Sequence, residues 1–308
     1  MRVVSAIGVA LLTVACAGPG VVTTGSTPSA TSSAAPTPAG PSSFGTSTSP
    51  APTTIQPDLA GKFDVGGHSL YIECYGADGP VMVFDAGSGG SSELWKRSPA
   101  GFVSLVDNRY RRCLYDRANL GNSDRVPGAR TSQTAADELR RLLKAVDLPR
   151  PYVLVGRSFG GYHVRLYAAS YPSEVTALIL IETLTPEFHG GMKLLLTPQE
   201  WAAEMRGLQA TEAPMDIMAS TDLVAAARLP DVPLLVVAGT KWHSGNEPWP
   251  PWWPGPELDA LWDKAQLDLG ASVPRGRTVV FEGGDHSLQV SQPERLAKEI
   301  NDFVADLS

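Results

Sequence analysis

Val153-Leu154-Val155-Gly156-Arg157-Ser158-Phe159-Gly160-Gly161 decides how this chain is read. An apolar run, Tyr152–Val155, reads as a buried strand; Ser158–Ser170 reads as a helix closed by Pro172. Between them stands G-x-S-x-G. A serine on so sharp a strand-to-helix turn projects its hydroxyl from the sheet. Bulk two residues before or after it would strike the neighbouring strand or helix, which accounts for Gly156 and Gly160. The helix that follows directs its N-terminus, with its partial positive charge, at the serine. Those features make Ser158 a candidate nucleophile.

Outward from the motif, strand signals fall at Lys62–Val65, Leu70–Tyr75, Val81–Asp85, Tyr110–Tyr115, Thr176–Ile181, Pro233–Ala238 and Thr278–Phe281. Thr176–Ile181 is so apolar that it should be buried on both faces. Helix signals fall near Ser92–Val106 and over Gln133–Val146, Glu257–Leu269 and Pro293–Asp306. In Gln133–Val146 the residues Leu139, Leu142, Leu143 and Val146 share one face. About 183–231 is an insertion after the sixth strand, with helical pieces at Pro198–Gly207 and Ser220–Ala227. Strands alternating with helices predict an α/β fold, a mostly parallel sheet covered on both faces.

A serine nucleophile needs a base from a loop at the carboxyl end of the sheet. The chain has five histidines. His286, in Phe281-Glu282-Gly283-Gly284-Asp285-His286-Ser287-Leu288, lies past the last strand and is the expected base. His243 is its weaker rival, and His68 and His163 read as turn and packing residues. The orienting acid is expected at Glu182, which ends Leu178-Ile179-Leu180-Ile181-Glu182 and keeps the order serine, acid, histidine. Asp285 and Glu247 trail it. Two backbone N–H groups must meet the developing oxyanion. One is expected from Phe159, the other from Ser88 in Asp85-Ala86-Gly87-Ser88-Gly89-Gly90. The glycine spacing there does not fit a dinucleotide loop; no cofactor, nucleotide or metal site is expected.

The first residues read as an address. Met1, Arg2 and an apolar run to Ala15 resemble a signal peptide, too short for a permanent membrane span. Leu11-Leu12-Thr13-Val14-Ala15-Cys16 resembles a lipoprotein box, so Cys16 is expected to carry lipid and anchor the protein to a membrane. Plain secretion is the alternative, since Thr13 is unusual there. Residues 16–57 are dominated by Ser, Thr, Pro, Ala and Gly and carry no charge. They are expected to form a flexible tether spanning roughly 35 Å as a random coil. Residues 58–308 are long enough for one sizeable domain. A net charge of −7 argues against nucleic acid. Cys74 and Cys113 remain as either a disulfide or two buried thiols; export favours the bridge. Oligomeric state is not legible. The loop Trp242–Pro256 holds four tryptophans that either line an apolar pocket, touch a membrane interface or pack on themselves.

Further stretches are Tyr71-Ile72-Glu73-Cys74, Val83-Phe84-Asp85-Ala86-Gly87-Ser88-Gly89 and Cys113-Leu114-Tyr115-Asp116-Arg117-Ala118-Asn119-Leu120-Gly121-Asn122-Ser123-Asp124. With the elbow, Leu178–Glu182 and Gly284-Asp285-His286, they make the chain resemble the α/β-hydrolase superfamily over most of 61–307. The likeness extends to exported actinobacterial members with a cysteine in the second and fourth strands. The resemblance implies a Ser/His/acid hydrolase with a helical cap, here 183–231; the expected substrates are small-molecule or lipid carboxylic esters. Glu182 sits where some haloalkane dehalogenases keep their acid, but Ser158 stands where those enzymes use aspartate. Relatives often have histidine before the serine; Arg157 departs from that, and either meets an anionic substrate group or pairs with a structural carboxylate. The alternative to an esterase is an envelope binding protein that keeps the fold without turnover. Peracid formation at the same residues is a third reading.

Overall fold

The computed structural model describes residues 56–76, 79–98, 101–212, 214–241 and 254–307, within the unit Pro50–Ser308. The leader 1–15, Cys16, nearly all of the tether, His243, Glu247 and the four loop tryptophans lie outside the described residues.

Among the described residues eight strands form one sheet: β1 (Leu59–Asp64), β2 (Ser69–Tyr75), β3 (Val81–Asp85), β4 (Arg111–Tyr115), β5 (Tyr152–Arg157), β6 (Val175–Ile181), β7 (Leu234–Lys241) and β8 (Gly276–Asp285). Their order is β1-β2-β4-β3-β5-β6-β7-β8. β2 runs antiparallel to both β1 and β4, and every pairing from β4 to β8 is parallel. With the helices on both faces this is the α/β-hydrolase fold.

Side-chain alternation divides the core in two. Val83, Leu154, Leu178, Leu180, Leu234 and Val236 point into one apolar cluster, and Phe84, Val155, Ile179, Ile181, Leu235 and Val237 into the other. Strands buried on both faces need helices on both. On the first face lie α2 (Ser132–Ala145), α3 (Gly160–Ser170) and α7 (Gly255–Gly270). On the second lie the short α1 (Phe102–Leu105) and α9 (Pro293–Ala305). The stripe Leu139, Leu142 and Leu143 on α2 is fully buried, each side chain contributing roughly 1.5–3 kcal/mol. Thr131 and Thr134 form a capping box at its start.

Between β6 and β7 stand α4 (Pro186–Leu195), α5 (Pro198–Thr211) and α6 (Ile217–Ala226). Phe188, Met192, Ile217 and Val224 from this insertion join the first core cluster. None of the residues of α5 is fully buried. A short helix α8 (Leu288–Ser291) precedes α9.

Three sequence expectations need correction. Ser92–Val106 is not one helix: a 3-10 turn, Ser92–Lys96, is followed by α1, with Gly101 at φ 72° just before it. The helix after Ser158 begins at Gly160, because Ser158 itself has φ 53° and cannot be helical. Strand β8 runs on to Asp285, because a register shift opposite Gly239 and Lys241 keeps its last residues paired with β7. The helix α4 carried no expectation; Gly190-Gly191 in its middle hid it, although the Thr185 cap and Pro186 at its first position announce it.

Cys74 and Cys113 are register partners on β2 and β4, with Cα atoms 4.1 Å apart, and they are joined by a disulfide. A bridge closing a loop of this length stabilises by about 4 kcal/mol in the chain-entropy model.

Candidate active site

Gly156 and Gly160 create the turn on which Ser158 stands. A Cβ on Gly156 would lie 2.7 Å from Gly161 Cα and from Val164 Cγ2 of α3, and one on Gly160 would lie 2.5 Å from the Asp85 carbonyl oxygen. The left-handed φ of Ser158 is costly for a non-glycine residue and persists only where the surroundings hold it. The end of β6 does so. Ser158 N–H donates to the Ile181 carbonyl at 3.0 Å, and the Ser158 carbonyl accepts from Thr183 Oγ1 at 3.1 Å and Leu184 N–H at 3.3 Å.

His286 follows β8 directly. Its Nε2 lies 3.0 Å from Ser158 Oγ and its Nδ1 lies 3.1 Å from Glu182 Oε2. Glu182 is fully buried at the end of β6, with φ 47°; its other carboxylate oxygen accepts the Gly239 N–H. Thus three residues from the ends of β5, β6 and β8 meet in one hydrogen-bonded line. Trp262 of α7 meets the imidazole edge to face, with ring centres 5.6 Å apart, and Phe188 of α4 packs on Trp262 at 4.9 Å.

Burial pushes the Glu182 carboxyl up to about 8, against the Gly239 N–H and the Arg157 charge. Burial, then Arg157, holds the His286 imidazole well below its usual range. Arg157 donates from Nη2 to the His286 carbonyl and, at 3.4 Å, to Ser287 Oγ.

The loop after β3 lies beside the serine: a Cβ on Gly87 would sit 3.1 Å from Ser158 Cβ. Ser88 Oγ is 2.6 Å from Thr211 Oγ1. Phe159 is fully buried between Tyr162 and His163, at the start of α3. The rival residues are engaged elsewhere. Asp285 accepts from Ser287 N–H and Ser291 Oγ, His163 Nδ1 lies 3.1 Å from Asp85, and His68 lies 3.1 Å from Glu138. His189, held down to about 4 by burial, faces Thr221. Sequence reasoning missed Thr183, Trp262 and the support that Arg157 gives to the histidine loop. It also missed a buried cluster of Asp85, Tyr115, Arg117, His163 and Glu212 behind the Gly87 loop.

Strand-end serine, acid and histidine on a mostly parallel sheet define the α/β-hydrolase class of architecture. Residues 80–212 match the family model for the alpha/beta hydrolase fold. The uncharacterized protein YqjL of Bacillus subtilis (strain 168) is 35% identical over 107 residues, covering 35% of this chain and 41% of YqjL. The chain spans about two fifths or less of the length of the curated relatives it matches first. A thermophilic esterase from Thermogutta terrifontis superposes with TM-score 0.53 at 23% identity, over 81% of this chain and 99% of the esterase. The haloalkane dehalogenase DatA from Agrobacterium tumefaciens C58 does so with TM-score 0.57 at 17% identity, over 81% and 97%. At such identities the likeness is one of fold.

Proposed function

We propose that the chain is a serine hydrolase that cleaves carboxylic esters through an acyl-enzyme on Ser158. The observation that carries this reading is the line Ser158 Oγ, His286 Nε2, His286 Nδ1, Glu182 Oε2, with gaps of 3.0 and 3.1 Å. Ser158 Oγ attacks the ester carbonyl carbon while His286 Nε2 takes its proton. Glu182 accepts from Nδ1–H, which fixes the tautomer and stabilises the imidazolium. The carbonyl oxygen becomes the oxyanion, met by the N–H groups of Phe159 and Ser88. Collapse expels the alcohol, which leaves with the proton from Nε2. A water molecule, deprotonated by the same nitrogen, then attacks the acyl carbon, releases the acid and returns the proton to Ser158.

The test is labelling of the protein by a fluorophosphonate, with p-nitrophenyl ester turnover at increasing acyl length, beside Ser158→Ala. Labelling and turnover that disappear in Ser158→Ala are expected. A folded wild type that neither labels nor turns over would sink the reading and leave a binding protein on a hydrolase fold. We propose further that the protein is exported and anchored through lipid on Cys16; a mature N-terminus at Cys16 carrying diacylglycerol in mass spectra is the expected result, and an unmodified one refutes it.

A further inference from the structure

We infer that Arg117 and Glu212 are positioning residues that set the oxyanion loop, so that the helical insertion is itself part of the oxyanion device. The inference rests on the hydrolase reading above.

Arg117 is buried, with five N–H donors and five acceptors. Nε donates to Glu212 Oε1 at 2.6 Å, and Nη1 to Asp85 Oδ1 and, at 2.7 Å, to the Ala86 carbonyl. Nη2 donates to the Gly87 carbonyl at 2.8 Å and to Glu212 Oε2 at 2.7 Å. Two of the five acceptors are consecutive carbonyls of the loop after β3. In a trans peptide the C=O and the following N–H point in opposite directions. Holding the Gly87 carbonyl on the guanidinium therefore turns the Ser88 N–H away from it, on the loop that lies against Ser158.

Glu212 completes the hold from the other side. It follows α5, and besides the Arg117 fork its Oε2 accepts the Gly89 N–H at 3.1 Å. Thr211, the last residue of α5, meets Ser88 Oγ. Residues 86–89 are thus gripped at four points, two on Arg117 and two on the end of α5. Asp85 anchors the grip in the sheet: its carboxylate also accepts from Tyr115 Oη and meets His163 Nδ1. Burial alone would raise Asp85, but His163 and Arg117 outweigh it and hold the carboxyl below its usual range. Burial would lower Arg117; Glu212 and Asp85 outweigh it and raise it. Buried ion pairs are costly to assemble and seldom add net stability over an apolar core. What this one supplies is direction, to a loop whose own backbone contributes the Gly90 N–H to the Gly87 carbonyl at 3.0 Å.

Both side chains are buried, away from any bound substrate, so the effect is expected in the transition state and not in binding. The experiment uses Glu212→Gln, which keeps the shape of the side chain, and Thr211→Val, which leaves the ion pair intact and guards against a folding defect in the first. Ester kcat and KM are measured with the affinity for a trifluoromethyl ketone, whose adduct places an oxyanion on the loop. Glu212→Gln is expected to lower kcat roughly 10- to 100-fold, short of or near the loss of a whole donor, with KM within about threefold. The ketone should weaken in parallel, and Thr211→Val should lose roughly two- to fivefold in kcat. An unchanged kcat and ketone affinity in the folded variants, or a rise in KM alone, overturns the inference. If Ser158→Ala is dead while these variants are unchanged, the hydrolase stands and the clamp falls; an inert wild type overturns both.

Discussion

Arg157 donates to the backbone carbonyl of His286, so the residue beside the proposed nucleophile holds the loop that carries the proposed base. The two residues are 129 positions apart in the chain. The same guanidinium acts on the relay through its charge, favouring the ionised form of Glu182 and disfavouring the imidazolium of His286. One side chain thus bears both on where His286 stands and on the protonation states of His286 and Glu182.

That double role fixes a pH dependence. The proposed relay needs an ionised Glu182 and a neutral His286. The imidazole is neutral well below its usual range, whereas burial pushes the carboxyl up to about 8. The limiting titration is the carboxyl, so kcat/KM is expected to rise with pH to a plateau above about 8, with an apparent value that belongs to the pair. Removing the charge raises both groups, so Arg157→Gln should move the acid limb to higher pH and Arg157→Lys should restore it. A profile flat across that range, or a limb that moves down in Arg157→Gln, contradicts the assignment.

Glu182 also couples activity to stability. Below its ordinary value of 4.5 the carboxyl is neutral in the folded and the unfolded chain and affects neither. As pH climbs from 4.5 towards 8 the unfolded chain releases the proton first, and the fold loses stability through that whole window. Glu182→Gln keeps an oxygen for the Gly239 N–H and carries no charge. It should raise the melting temperature above pH 8, by roughly 2–4 °C per kcal/mol gained, while lowering kcat about 10³- to 10⁴-fold through loss of the correct tautomer. A variant that is both active and less stable at that pH would remove Glu182 from the relay.

The Cys74–Cys113 bridge joins β2 to β4, on the side of the sheet order away from β8. Reduction, or the double change to serine, is expected to cost about 4 kcal/mol of stability and to leave the proposed ester kcat/KM of the folded protein unchanged. Denaturant unfolding with and without reductant measures the first, and ester turnover the second. A large loss of kcat/KM in the folded reduced protein would contradict that separation.

What could be read in the sequence was whatever local geometry dictates. Gly156 and Gly160 are required by contacts within a few residues of Ser158 or with the next strand. Glu182 and His286 stand where apolar strands stop, a change of composition visible in one dimension. Arg117 and Glu212 were invisible because their partnership joins the end of one strand to the end of an inserted helix, and neither lies in a periodic pattern. Helix α4 was hidden for the opposite reason: Gly190-Gly191 argues locally against a helix that tertiary packing imposes. Leu261 of α7 comes so near Gly191 that a Cβ there would lie 2.4 Å from it.

The sharpest steric prediction concerns Gly156. A methyl group at this position would meet Gly161 Cα and Val164 Cγ2, both at 2.7 Å, and the Gly160 carbonyl oxygen at 2.8 Å. Val164 could turn its side chain, but two of the three obstacles are backbone of the elbow and of the first turn of α3. Relief therefore has to come from moving α3 away from β5, and Ser158 moves with it. Overpacking of this kind costs typically 1–3 kcal/mol, which a chain carrying a disulfide and two apolar clusters should survive. The rate is more sensitive, because Ser158 Oγ must stay within hydrogen-bond reach of His286 Nε2. Gly156→Ala is thus expected to fold with a lowered denaturant midpoint and to lose about 10²-fold or more in fluorophosphonate labelling rate. A folded variant that labels at the wild-type rate would mean that the elbow tolerates the displacement, and that Gly156 serves the packing of α3 rather than the placement of Ser158.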